Sequence, residues 1–202
     1  MLFLDELPEF QRDVLEALRE PLESGRVSLA RANYRVEFPA RFQLIAAMNP
    51  CPCGYAGDPS GDCHCSADRV SAYRARVSGP LLDRIDMHVE VATQPLSALR
   101  TPGAEESSAS VSRRVLAARK TALQRQGTLN TSLDKAEVEK FVEPESWKLL
   151  DAASDRLRLS ARSAYRVLRV SQTIADLAGA ETITPPLLAE ALSYRESVRP
   201  AL

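Results

Sequence analysis

Two carboxylates close a short apolar run: Leu2-Phe3-Leu4 is followed at once by Asp5-Glu6. The run reads as a strand, and a strand that stops at paired acids presents both at the edge of a sheet. There Asp5 can hold Mg²⁺, usually through water, and Glu6 can polarise a water for attack on a phosphoryl group. An exposed Asp-Glu with no chemistry has the same appearance. A second polar tip follows. Phe42 to Met48 is nearly continuous apolar sequence, the pattern of a buried strand, and it ends in Asn49-Pro50. The amide of Asn49 can help orient an attacking water, although Asn before Pro is also a frequent turn former. Arg84, in Leu81-Leu82-Asp83-Arg84-Ile85-Asp86, offers a planar, permanently charged fork to developing phosphate charge. Its plain alternative is an ion pair with Asp83 or Asp86. Arg162 sits in the first turn of an expected helix, where a phosphate is favourably faced. Arg166 and Arg169 compete for that role, and a solvated basic face is the other reading of all three.

The cysteines form a second constellation. Cys51, Cys53, Cys63 and Cys65 occur as Cys-x-Cys, nine residues, Cys-x-Cys, with Gly54, Gly57 and Gly61 between the pairs. Four thiolates can enclose Zn²⁺ tetrahedrally, and the glycines let the loop close around it. His64 is available as a substitute ligand. Four protein ligands leave no open position, so such a zinc is structural. Free thiols and disulfides are the alternatives.

A third constellation is basic. Arg26–Ala30 and Tyr34–Phe38 both alternate apolar and polar residues, and Arg31-Ala32-Asn33 between them reads as a hairpin tip. Val27 and Leu29 make one strand's apolar face, and Val36 and Phe38 the other's. Arg31 at the tip, with Arg26 and Arg35 near it, could grip phosphates without reading bases. An ordinary charged tip looks no different.

These residues need elements to carry them. Phe10, Val14, Leu15 and Leu18 predict a helix over 8–24, irregular at Pro21 and stopped by Gly25. Ser66 predicts a helix start running to about Val77, and a strand is expected over 86–91, holding His88 as a structural residue. The Pro-, Ser-, Thr- and Gly-rich stretch 96–109 reads as a linker between a unit 1–95 and a unit 110–202. The second unit is expected to be helical over about 110–126, 134–142, 144–155, 160–178 and 185–198, with Trp147 in its core. The fold class expected is thus α/β followed by an all-α domain. A strand that begins at the first residue lacks neighbours, so an upstream sequence is expected.

Composition narrows the partners. The 26 basic and 27 acidic residues nearly cancel, so any nucleic-acid contact must be a local patch. The apolar runs are far shorter than the roughly 20 residues that span a bilayer. The acidic start has no signal-peptide pattern, which makes the cytoplasm the expected location and a membrane partner unexpected.

Taken in order, these motifs read as Walker B, hairpin, sensor 1, arginine finger and helical lid with sensor 2. Residues 2–10 (LFLDELPEF), 26–55 (RVSLARANYRVEFPARFQLIAAMNPCPCGY), 78–91 (SGPLLDRIDMHVEV) and 159–179 (LSARSAYRVLRVSQTIADLAG) resemble the Mg-chelatase-like AAA+ proteins of the competence protein ComM (YifB) type. The resemblance covers essentially the whole chain, as the C-terminal portion of such a protein. It implies a partial three-layer AAA+ core with a pre-sensor-1 hairpin and a helical lid. It also implies ATP and Mg²⁺ as cofactors, a hexameric ring, and a motor that drives branch migration on branched or single-stranded DNA in natural transformation. Under it Asp5, Glu6, Asn49, Arg84 and Arg162 are catalytic, with Asp5 toward Mg²⁺ and Arg162 toward an ATP phosphate, and Arg31 is the DNA-contacting position. A Lon-like domain and a Walker A loop would precede residue 1. No G-x-x-x-x-G-K-[ST] occurs among the eight glycines, so this chain alone is expected to be inactive. Two other functions fit part of the pattern: the motor subunit of a magnesium chelatase, and a zinc-stapled, non-catalytic interaction module.

Overall fold

A computed structural model describes residues 1–31, 34–59, 61–94 and 106–196, without the side chains of Arg31 and Glu196. The chain divides into two compact units, Met1–Ile85 and Asp86–Leu202.

In the first unit the two apolar runs become strands and pair in parallel. Strand β1 (Leu2–Leu4) lies beside β4 (Leu44–Ala46) in the register Leu2↔Leu44, Phe3↔Ile45, Leu4↔Ala46. Between them in sequence, β2 (Arg26–Arg31) and β3 (Tyr34–Pro39) form a separate antiparallel ribbon. The expected tip residues Ala32 and Asn33 lie outside the described residues.

The helix expected over 8–24 is broken. A 3₁₀ turn at Leu7–Glu9 precedes α1 (Arg12–Ala17) and α2 (Arg19–Ser24). Pro21 falls in the first turn of α2, where its missing N–H removes no helical hydrogen bond, so the break lies ahead of the proline. Helix α3 (Ala67–Arg74) starts at Ser66, whose hydroxyl accepts from Arg69 N, and α4 (Gly79–Leu82) is capped likewise by Ser78. Leu7, Leu15, Val77 and Leu81 form the small core under these elements.

The strand expected over 86–91 is absent. Met87, Val89 and Val91 are exposed. A strand exists only through a paired neighbour, and the backbone hydrogen bond made there, His88 N to Tyr194 O at 2.9 Å, is to a helix.

The second unit is helical: α5 (Ser108–Gln126), a 3₁₀ turn (Asn130–Ser132), α6 (Lys135–Glu139), α7 (Pro144–Leu157), α8 (Ala161–Ala178) and α9 (Pro185–Glu196). Of the expected linker, residues 96–105 lie outside the described residues, and α5 begins at Ser108. Asp134 and Glu137 close a reciprocal capping box on α6. Leu133, Val138, Leu150, Leu168, Ile183 and Leu188 are the heart of the core, with Trp147 packed at its margin. Full burial of each such aliphatic side chain contributes about 1.5–3 kcal/mol.

A buried polar cluster joins α5 to α8. Arg125 forms a bidentate pair with Asp176, stacks on Phe141 at 4.8 Å and donates to Asn130 at 2.9 Å, while Asn130 Nδ2 donates to Asp176 at 2.7 Å. Asp176→Ala leaves the arginine charge and the Asn130 amide poorly partnered. It should lower the unfolding free energy of this unit by about 3–5 kcal/mol in urea titrations, and an unchanged midpoint would show that the cluster is dispensable.

Candidate functional site

Parallel pairing sends β1 and β4 out at the same edge. The ladder runs one step beyond the strands, with Ala47 N donating to Leu4 O at 2.8 Å and Leu7 N to Ala47 O at 2.9 Å. Asp5, Glu6 and Asn49 therefore leave the sheet together at its carboxyl edge, where open α/β sheets bind ligands. All three are exposed. Glu6 turns in the left-handed region (φ 52°, ψ 47°), which costs an L-residue about 1–2 kcal/mol. Its amide donates to Asp5 Oδ1 at 2.9 Å. Strained non-glycine residues cluster at functional sites, although Arg158, which ends α7, takes the same region (φ 46°) as an ordinary helix cap.

Two residues with no motif behind them brace this edge. Tyr73 of α3 is buried, and its phenol oxygen accepts a hydrogen bond from the Asn49 backbone N–H. Burial first, then the charges of Glu9 and Glu6, push its pKa above the ordinary phenol value. Arg76 pairs with Glu9 at 2.9 Å and donates to Pro8 O at 3.4 Å, holding the turn behind Glu6.

Arg84 is largely enclosed by its own unit. Nη2 meets Glu23 Oε2 at 2.8 Å, Nη1 donates to Pro80 O at 2.7 Å and Nε to Arg19 O at 3.2 Å, and the side chain is 15% exposed. Glu23 is thus a partner of the guanidinium that the sequence did not suggest. Asp86 pairs instead with Arg166, at 2.6 Å. Beside Arg84, Glu16 is held below the usual carboxylate value by hydrogen bonds from Ser78 and Arg19.

In the helical unit the three competing arginines separate by surroundings. Arg162 is in the first turn of α8, just after the Ser160 cap, and half-buried. Arg166 is engaged by Asp86. Arg169 Nε donates to Leu133 O at 2.8 Å, and burial, with the Arg166 charge, lowers its pKa.

The ribbon's register sets Val27 opposite Phe38 and Leu29 opposite Val36, so the apolar residues of both strands share one face. Leu29, Val36 and Phe38 are each at least 46% exposed, too open to be core. Arg26 and Arg35 both reach Glu37, at 3.1 and 4.0 Å. Arg31 pairs with Tyr34 in the register, and its side chain lies outside the described residues.

The four cysteine sulfurs converge. Cys51 Sγ lies 3.2 Å from Cys53 and 3.8 Å from Cys63, Cys53 lies 3.7 Å from Cys63, and all four sulfurs are within 4.8 Å of one another. Sulfurs at tetrahedral corners about 2.3 Å from a zinc stand about 3.8 Å apart, so the set fits that ion. The thiols are free, with separations well beyond the about 2.05 Å of a disulfide. His64 is exposed and outside the set. Gly54 and Gly61 take positive φ (85° and 73°) where the loop reverses. Burial opposes ionisation of Cys51, yet the Cys53 thiol and the Ala56 and Cys53 amides outweigh it and lower its pKa to about 6. At Cys63 the Cys65 amide favours the thiolate, but burial and the Cys53 and Cys51 sulfurs prevail and raise the pKa to about 11. Adjacent thiolates repel, and a divalent cation among them removes that conflict.

Among the described residues no helix is long and apolar enough to cross a membrane. Comparison with known families finds that the family model "Magnesium chelatase, subunit ChlI" matches residues 1–99 and "Magnesium chelatase, subunit ChlI C-terminal" matches residues 105–195. Competence protein ComM of Haemophilus influenzae is 47% identical over 204 residues, covering 98% of this chain and 39% of the relative. Uncharacterized protein YifB of Escherichia coli is 46% identical, covering 96% of this chain and 39% of the relative. An uncharacterised protein of Mycobacterium tuberculosis (strain H37Rv) is 40% identical, covering 98% and 40%. The chain spans about two fifths of the length of these relatives.

Proposed function

Because this chain belongs to the Mg-chelatase-like AAA+ family of the ComM and YifB type, we propose that it supplies the Walker B, sensor, finger and lid part of a hexameric ATP-driven DNA motor. The observation that carries the ATPase reading is the parallel β1–β4 pairing, which brings Asp5, Glu6 and Asn49 to one carboxyl edge. In this reading 1–95 is the C-terminal part of the core, 96–109 the linker and 110–202 the lid. Asp5 holds Mg²⁺ through water, Glu6 takes the proton of the attacking water and Asn49 orients that water. Arg84 serves the nucleotide of a neighbouring subunit, and Arg162 faces an ATP phosphate from the lid. Of the three lid arginines Arg162 is favoured because it lies in the first turn of α8, beside the positive end of the helix. Zn²⁺ in the four-cysteine cluster is structural. The setting is cytoplasmic, and the competence name of one relative supports a role in natural transformation and recombination.

The absence of a Walker A sequence supports a chain that does not turn over ATP by itself, and measurable turnover by the purified 202-residue chain would refute that. The motor reading is tested on the full-length protein by ATPase and branch-migration assays. Forked DNA is expected to stimulate both. Turnover indifferent to DNA would favour a magnesium chelatase motor subunit, the reading that the matched family models themselves support.

The hairpin arginines give a separate test. If Arg26, Arg31 and Arg35 each neutralise a phosphate, each Ala variant should reduce the slope of log K against log salt by about 0.9 on duplex DNA, without changing sequence preference. Unchanged salt dependence in the triple variant would remove the ribbon from the DNA interface.

A further inference from the structure

The four-cysteine cluster joins two ends that the proposed ATPase chemistry needs held still. Cys51 is fully buried and follows Asn49 by two residues. Cys65 precedes Ser66, the cap of α3. From α3, Arg74 Nε donates to Pro50 O at 3.2 Å, and the Tyr73 phenol oxygen accepts from the Asn49 backbone N–H. The loop 51–65 in between has no helix or strand among its described residues, and Cys51 is the only one of them that is buried. Its own backbone hydrogen bonds are short-range turns, such as Gly54 N to Cys51 O at 3.0 Å and Gly61 N to Asp58 O at 3.1 Å. A loop that buries so little apolar surface cannot offset its ordering entropy by packing, and a cross-link must supply the difference. Backbone amides are meanwhile aimed at the sulfurs: Ala56 N at Cys51 (3.3 Å), with Tyr55 N toward Cys53 and Cys65 N toward Cys63. N–H donors on all these sulfurs suit thiolates bound to a cation.

We infer that one Zn²⁺, held by Cys51, Cys53, Cys63 and Cys65, clamps the end of β4 to the start of α3 and so sets the position of Asn49. The cysteines are positioning residues of the ATPase site. This rests on the role proposed above for Asn49. The bound ion supplies a closed, redox-silent cross-link. A fourfold thiolate set is saturated by protein ligands, so the ion takes no substrate.

The test uses the 202-residue chain, purified without chelator. Metal analysis should find about one zinc per chain, and replacement by Co²⁺ should produce the strong sulfur-to-metal and d–d absorption of a tetrahedral thiolate site. Hydrogen exchange is then compared between zinc-loaded protein and protein stripped with a chelator. Residues 47–51 and the first turn of α3 should exchange at least about tenfold faster when stripped, with the α8 core unchanged. Cys63→Ser should reproduce the stripped pattern and His64→Ala the loaded one. Less than about a tenth of an equivalent of zinc, an octahedral cobalt spectrum, or equal exchange at 47–51 in the two forms would each overturn the clamp. None of these readouts uses ATP turnover. An Asn49→Ala variant of the full-length protein tests the ATPase site separately, so failure of that reading and failure of the clamp are told apart.

Discussion

Arg84→Ala should lower ATP turnover of the assembled full-length ring by about 10³-fold or more, while ATP binding persists. That loss corresponds to about 4 kcal/mol of transition-state stabilisation. A guanidinium on the γ-phosphate acts on charge that grows only as the bond breaks, so its removal falls on turnover more than on affinity. Arg84→Lys should recover little, because an ammonium lacks the planar fork. In the single chain the guanidinium is held by Glu23 and two carbonyls. A purely structural arginine would therefore make Glu23→Gln and Arg84→Ala equally damaging to the stability of the first unit, with no specific loss of turnover. The decisive measurement is a mixing experiment. Rings mixed from Arg84→Ala and Glu6→Gln subunits contain interfaces that combine an intact Glu6 with an intact Arg84. Recovery of turnover on mixing is expected, and its failure would sink the action of Arg84 on a neighbouring site.

Glu6→Gln should reduce turnover by about 10²–10⁴-fold, the range that general-base removal spans. Gln keeps the shape and the left-handed turn of residue 6 but cannot accept the proton of the attacking water. Nucleotide affinity and ring assembly should survive, since Asp5 remains for Mg²⁺. Equal rates in the two proteins would refute the role of Glu6 in activating water. Asp5→Asn is the internal comparison: its defect should be relieved in part by raised Mg²⁺, and that of Glu6→Gln should not.

Local rules made much of the framework legible. Ser66 and Ser160 cap helices, Gly179 ends α8 in a left-handed turn, and Pro185 opens α9, because each effect depends on a residue and its near neighbours. The long apolar run ending at Asn49 became β4, though only Leu44–Ala46 pair. The failures are as informative. The segment 86–91 could not make a strand by itself, since strand formation depends on a partner. The apolar period over 8–24 could not reveal a break: Leu15 is buried, but Phe10 and Val14 are exposed, and Phe10 lies in neither short helix.

The order of Asp5-Glu6, Asn49, Arg84 and Arg162 along the chain, and the spacing of the four cysteines, were determined by sequence alone, and they sufficed to point to the family. Which groups meet was decided only by the tertiary structure. Tyr73 braces Asn49, Glu23 holds Arg84, Asp176 receives Arg125, and the four sulfurs converge within reach of one ion. The physical reason is the range of the forces. Caps and turns act over a few residues, whereas ion pairs and metal ligands act over a few ångströms between residues that only the folded chain brings together.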